Sequence, residues 1–230
     1  MNSFEPYKDP KQNEFPIIYG FSSSQEDKAC ISFGLEPTNL KQTICAACSK
    51  PLDSHKVSPV FNFLDLCGPA KPCSIVVRPT YVGFVRYSKT ALLHVGITNS
   101  DGSLVYHFDE KGFHKEKAWP YCLSVPLIDT EKTSDQAKQD YDKALIGHYQ
   151  YEKKTRIGIE QYQPLANNCF AFAIRFLNDI KYQDKDDHTK LTFAQLIEQQ
   201  VEAFENAFDY VNDLINAGSN ITTTKTLSKK

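Results

Sequence analysis

LLHVGITNSDGSLVYHF, residues 92–108, decides the fold. Two short runs rich in Val, Ile, Leu and Tyr flank NSDG at 99–102, and Asn, Asp and Gly are the residues that let a chain fold back tightly. The pattern predicts an antiparallel hairpin with His94 on one strand and His107 on the other. Further runs of the same kind lie on either side: CSIVVRP from Cys73, YVGFVRYS from Tyr81 and YCLSVPL ending at Leu127. Strand after strand joined by turns predicts an antiparallel sheet.

Beyond this sheet the apolar period changes from two to about four. Residues 133–153 place Tyr141, Leu145 and Tyr149 on one helical face, with Thr133 or Ser134 as N-cap. NCFAFAIRFLNDIKY at 168–182 is apolar around most of its circumference, which predicts a buried helix. A longer helix is expected over 191–216, carrying Phe193, Leu196, Ile197, Val201, Phe204 and Phe208. Upstream, PIIYGFS (16–22) and ACISFGL (29–35) read as strands, and 36–59 reads as a loop containing CAAC at 45–48. The expected class is α+β, an antiparallel β-sheet packed against C-terminal helices, preceded by a small Cys-containing knuckle. Its divisions are a flexible arm (1–15), N-terminal strands and knuckle (16–72), an α+β core (73–217) and a disordered tail (218–230).

The 230 residues suffice for one generous domain and a small module. With 26 basic against 28 acidic residues, the chain carries no general attraction for nucleic-acid backbones or anionic membranes. It contains no apolar run of transmembrane length, and its polar start is unlike a signal peptide, so a cytoplasmic or nuclear location is expected. Seven scattered cysteines are an odd number, which fits reduced thiols better than a disulfide scaffold.

Of these thiols, Cys169 stands where the polar Asn167-Asn168 loop enters the most apolar helix. Unpaired N–H groups and the helix dipole at that position favour a thiolate and can hold an oxyanion. Alone, such a cysteine would be read as a small core residue. A nucleophilic thiol also needs a base and a group that orients it, and His94 and His107 on neighbouring strands offer both. Which ring faces Cys169 depends on hairpin register, since a slip of one residue moves an imidazole to the other face.

The segments CSIVVRPTYVGFVR (73–86), LLHVGITNSDGSLVYHF (92–108), WPYCLSVPL (119–127), NNCFAFAIRFLNDI (167–180) and CAACSKPL (45–52) resemble the makorin-2 opposite-strand family. More distantly, the strand His in HVGI, the second polar residue after the hairpin and the NC-aromatic helix start resemble circularly permuted papain-like folds. These are the NlpC/P60 superfamily, with its lecithin:retinol acyltransferase-like enzymes and permuted desumoylating peptidases. That resemblance implies His94 as base, His107 as orienting group and Cys169 as nucleophile, with the Cys169 N–H and the Asn168 side chain holding the oxyanion. The chain departs from those families after the cysteine, where Phe170 and Ala171 stand in place of Glu or Asn and then His. The implied activity is a cysteine-dependent acyl hydrolase or acyltransferase acting on a small acyl compound or a peptide or protein, with no cofactor. The competing reading is a catalytically inactive binding or adaptor protein with a protein partner.

Cys45 and Cys48 have the spacing of half a structural zinc site, which needs two further ligands. Cys30, His55, Cys67 and Cys73 are available, and Cys67 and Cys73 are the pair assigned here; a metal-free turn remains the other reading. Cys122 is expected to pack in the core. Arg78 and Arg86 could bind an anion or be solvated edge charges. His114, His148 and His188 are expected at the surface.

Overall fold

The computed structural model describes residues 17–23, 30–34, 44, 50–51, 53, 56–80, 84, 87, 90–156, 162–185 and 187–216. The chain divides into two compact units, and their main segments are Leu66–Ala203 in one and Pro10–Asp65 with Phe204–Lys230 in the other. In the latter, β1 (Ile17–Ser23) pairs antiparallel with both β2 (Cys30–Gly34) and β3 (Lys56–Asn62), in the order β2-β1-β3. β3 corrects the expectation of a loop through residue 59. Its Pro59 reads as a strand breaker in sequence, but an edge strand tolerates a residue without an N–H donor. A single helical turn, α1 (Phe63–Leu66), follows.

The first unit is built on five antiparallel strands: β4 (Ser74–Pro79), β5 (Leu93–Thr98), β6 (Leu104–Asp109), β7 (Gly112–Lys117) and β8 (Leu123–Pro126), in the order β7-β6-β5-β4-β8. Helices α2 (Asp135–Thr155) and α3 (Cys169–Asp179) follow in this unit, which also holds the first half of α4 (Lys190–Asn216), up to Ala203. The fold class is therefore α+β, an antiparallel sheet with C-terminal helices. NSDG is the expected turn between β5 and β6, with Gly102 at φ 73°, a left-handed conformation that side chains disfavour.

Alternation along the strands sorts the residues onto two faces. Ile75, Val77, Val95, Ile97, Tyr106 and Phe108 are buried on one. Helices α2 and α3 pack on that face: Phe113 meets Phe172 of α3 and Tyr149 of α2 edge to face, at 5.8 and 6.3 Å between ring centroids. Phe172, Phe176 and Leu177 are fully buried, and each contributes about 1.5–3 kcal/mol by leaving water. Arg78, His94, Gly96, Val105, His107, His114 and Glu116 share the other face, as the pairs Arg78↔His94, Gly96↔His107, His107↔His114 and Val105↔Glu116 require.

The structure adds one strand and departs from two expectations. β7 is charged (GFHKEK) and lay hidden in sequence, because a half-exposed edge strand needs no apolar run. Of YVGFVRYS, only Phe84 and Tyr87 are described, and neither is in a strand. His148 and His188 are 5% and 7% exposed rather than on the surface, and each ring has polar partners that offset its burial. His148 Nδ1 lies 2.6 Å from Asp179 Oδ2 and its Nε2 lies 3.2 Å from the Phe172 carbonyl oxygen. His188 Nε2 lies 2.8 Å from the Tyr182 carbonyl oxygen.

Candidate functional site

Cys169 is the first residue of α3, as its position between a polar loop and an apolar helix implies. Asn168 caps the helix, its Oδ1 accepting from the Ala171 N–H at 3.0 Å while its Nδ2 donates to the Pro164 carbonyl at 2.6 Å. Arg175 donates to Asn167 Oδ1 at 3.1 Å and, through Nε and Nη2, to both oxygens of the buried Glu152 carboxylate on α2. The loop that presents the thiol is thus clamped from two sides. Asn168 serves as the cap of α3 and ties down the loop before it, through Oδ1 and one Nδ2 hydrogen.

Helix-start chemistry favours a thiolate at Cys169, but burial outweighs it. The residue is 3% exposed, and desolvation pushes the thiol up to about 11 even though the N–H groups of Val95, Phe170 and Cys169 itself pull it down. The expected low-pKa thiol is therefore corrected to one that rests protonated at neutral pH. Val95 is the residue next to His94 in β5, so the sulfur lies beside the strand that carries the histidine.

The histidines form a pair on the opposite face of the sheet. His94 Nε2 and His107 Nδ1 are 2.9 Å apart, and both residues are buried. Among the described residues, His94 Nδ1 has no hydrogen-bond partner, and no hydrogen bond joins Cys169 Sγ to either imidazole. Burial, with His107 and Arg78 beside it, lowers the His94 pKa to about 3, so this ring is neutral at physiological pH.

Trp119 roofs the pair, with ring centroids 5.6 Å from His94 and 5.4 Å from His107. Gly96 permits this approach: a Cβ there would stand 2.4 Å from Val105 Cγ1 and 3.0 Å from Trp119 Cη2. Arg78 lies over the indole at 4.0 Å, and its Nη2 is 3.9 Å from Glu116 Oε2. Arg86, its companion in the anion-binding expectation, lies outside the described residues.

Glu116, Trp119 and Gly96 are site residues that sequence reading missed. Trp119 Nε1 donates to Glu116 Oε2 at 3.1 Å, and His107 Nε2 is 3.3 Å from Glu116 Oε1, long and bent enough that attraction between charge and ring dipole prevails over a good hydrogen bond. The signal for Glu116 was the DEKG turn at 109–112, after which Phe113 and Lys115 alternate with His114 and Glu116.

The β5–β6 pairing runs from Gly96↔His107 to Thr98↔Val105, and beyond Gly96 the strands part. A cleft of about 450 Å³ opens there, a volume within the range of small-molecule sites, and its walls include His94, His107, Glu116, Asn168, Cys169 and Tyr162. The chain thereby brings Cys169, His94 and His107 to one cavity, from two faces of one sheet.

Of the expected zinc ligands, Cys67 and Cys73 are among the described residues. Cys45, Cys48 and His55 lie outside the described residues. Burial, with Cys122 as a smaller cause, pushes the Cys67 thiol up to about 12, whereas Cys73 is buried near Asp142 of α2. Among the described residues no three of His, Cys, Asp and Glu are placed to hold a metal. Cys122 packs with Ala70, Val76, Val105 and Trp119.

The architecture defines an α+β protein with a Cys/His-lined cleft at the mouth of an antiparallel sheet. Residues 67–214 match the family model described as DUF4796 C-terminal, which takes in more than half of the chain, and the chain belongs to that family. It is similar to the MKRN2 opposite strand protein of Homo sapiens, with 30% identity over 144 residues, 58% of this chain and 60% of the human protein. The chain thus matches less than two thirds of that relative's length. No solved structure matches it. Among the described residues no helix is long and apolar enough to cross a membrane.

Proposed function

We propose that the protein is a cysteine-dependent acyl hydrolase or acyltransferase of permuted papain-like design, with Cys169 as nucleophile and His94 as general base. One observation carries this reading: His94 and Cys169 line the same cleft, and His94 has Nε2 committed to His107 while Nδ1 is left for a second partner. A base held by one ring nitrogen and acting through the other is what thiol nucleophiles require.

With the thiol near 11 and the imidazole near 3, the resting pair is neutral. The Sγ–H proton then moves to His94 Nδ1 as sulfur attacks the carbonyl of an ester, thioester or amide, not beforehand. A C–S bond forms, and the leaving group departs with the proton from His94. The N–H groups of Cys169 and Phe170 at the start of α3 stabilise the oxyanion. Water or an amine then takes the acyl group, and the thiol is restored. Zinc, if Cys45 and Cys48 hold it, plays no part in these steps.

A second reading, a binding module without turnover, is favoured by the same burial that keeps Cys169 protonated and 3% exposed. Incubation with p-nitrophenyl acetate and with an acyl thioester, followed by intact mass, separates the two. An acyl adduct on Cys169 that is lost in Cys169→Ser and in His94→Gln supports the enzyme. A folded wild type that never acylates sinks it and favours binding.

A further inference from the structure

We propose that Glu116 is a positioning residue that fixes the order of protons in the histidine pair, so that His94 Nε2 donates to His107 Nδ1 and His94 Nδ1 is left as a lone pair open to the cleft. This rests on the proposed function only for what the lone pair does; the order of protons stands by itself.

An ionised carboxylate can only accept, and a neutral imidazole has one donor and one acceptor nitrogen. Glu116 is ionised: His107 beside it lowers its carboxyl to about 2, with Trp119 and Arg78 also favouring the charge. The nitrogen facing it is His107 Nε2, at 3.3 Å without a well-formed hydrogen bond; attraction to the charge keeps the proton on that nitrogen, and His107 Nδ1 becomes the acceptor. At 2.9 Å from that acceptor, His94 Nε2 must be the donor. The proton of a neutral His94 is then spent on Nε2, and Nδ1 is bare.

Neighbouring groups keep Glu116 in place. Trp119 Nε1–H donates to Oε2 at 3.1 Å and Arg78 stands 3.9 Å from the same oxygen. His114 stacks on His107 at 5.1 Å, but its Nε2 is engaged by Asp109 Oδ1 at 2.8 Å, so it does not compete for the pair. The line Glu116–His107–His94 converts a charge on an edge strand into a defined tautomer inside the sheet.

The experiment is a two-bond ¹H–¹⁵N correlation spectrum of the full chain labelled with [¹⁵N]histidine, near neutral pH, with His94→Gln and His107→Gln spectra for assignment. Both rings are expected to carry the proton on Nε2 in the wild type. Glu116→Gln, which keeps shape and loses charge, is expected to give mixed tautomers at both rings, and Glu116→Asp to restore the single form at least in part. A wild-type His94 protonated at Nδ1, a doubly protonated His107, or tautomers unchanged in Glu116→Gln would each overturn the proposal. No substrate is needed, so a protein that fails to acylate but shows this proton order loses the enzymatic reading and keeps the role of Glu116.

Discussion

His94 Nε2 and His107 Nδ1 face each other at 2.9 Å beneath Trp119, on strands whose pairing stops two residues short of His94. Each buried ring therefore has the other as its polar partner. His107→Phe leaves His94 Nε2 with no acceptor, and the expected loss in stability is about 1–3 kcal/mol. His107→Asn, which can still accept, is expected to lose less. Urea unfolding of both variants checks this; equal losses would mean that the imidazole contact contributes nothing.

Acid should destabilise the protein before its carboxylates titrate. The His94 pKa falls from 6.5 to about 3 in the fold, so below pH 6.5 the unfolded chain takes up a proton that the folded one refuses. Stability then falls with pH at about 1.4 kcal/mol per unit until about pH 3. Glu116, lowered from 4.5 to about 2, adds a loss in the same direction below pH 4.5. In His94→Gln the slope between pH 6.5 and 4.5 is expected to flatten; an unchanged slope there would place its origin in other groups.

Gly96→Ala tests the close approach of the indole. The new Cβ meets Val105 Cγ1 at 2.4 Å and Trp119 Cη2 at 3.0 Å, so one of them must move. Overpacking of this kind costs about 1–3 kcal/mol. Trp119 is the single tryptophan, so its fluorescence reports the shift without interference. Wild-type stability and an unaltered emission spectrum would contradict this packing.

Iodoacetamide reads the state of Cys169. With the thiol pushed up to about 11, its thiolate fraction at pH 7 is roughly a hundredfold below that of an exposed thiol. Labelling is expected to be slow and to climb tenfold per pH unit, still without a plateau at about pH 9. Fast labelling below pH 7 would instead indicate a thiolate–imidazolium pair.

Asn168→Ala removes the cap of α3, at an expected cost of about 1 kcal/mol. Because the same side chain holds the Pro164 carbonyl, the loop before Cys169 also loosens. Faster alkylation of Cys169 than in the wild type, beyond what the change in global stability explains, is the expected readout. Unchanged labelling would show that Arg175 and Asn167 suffice to hold the loop.

The legible parts of the site were those written in local pattern. Cys169 at a helix start follows from Asn-Asn before an apolar run, and the neighbouring strands of His94 and His107 follow from NSDG. The DEKG turn hints at the strand of Glu116, but the roles of Glu116 and Trp119 were not legible, because no periodicity encodes the distance of a charged edge strand and a loop from His94. His148 and His188 misled for a related reason. A polar neighbourhood in sequence says nothing about whether Asp179 or the Tyr182 carbonyl comes back in space to meet a buried ring.

By itself, the sequence determined the α+β class, the helix starts and the central hairpin, since turn chemistry, caps and apolar period act over a few residues. Only the tertiary structure decided the state of the site. Whether Cys169 is a thiolate depends on desolvation by the sheet it packs against, and which nitrogen of His94 is free depends on partners 13 residues away at His107. Those are sums over neighbours in space, and burial there outweighs the helix-start electrostatics that the local sequence supplies.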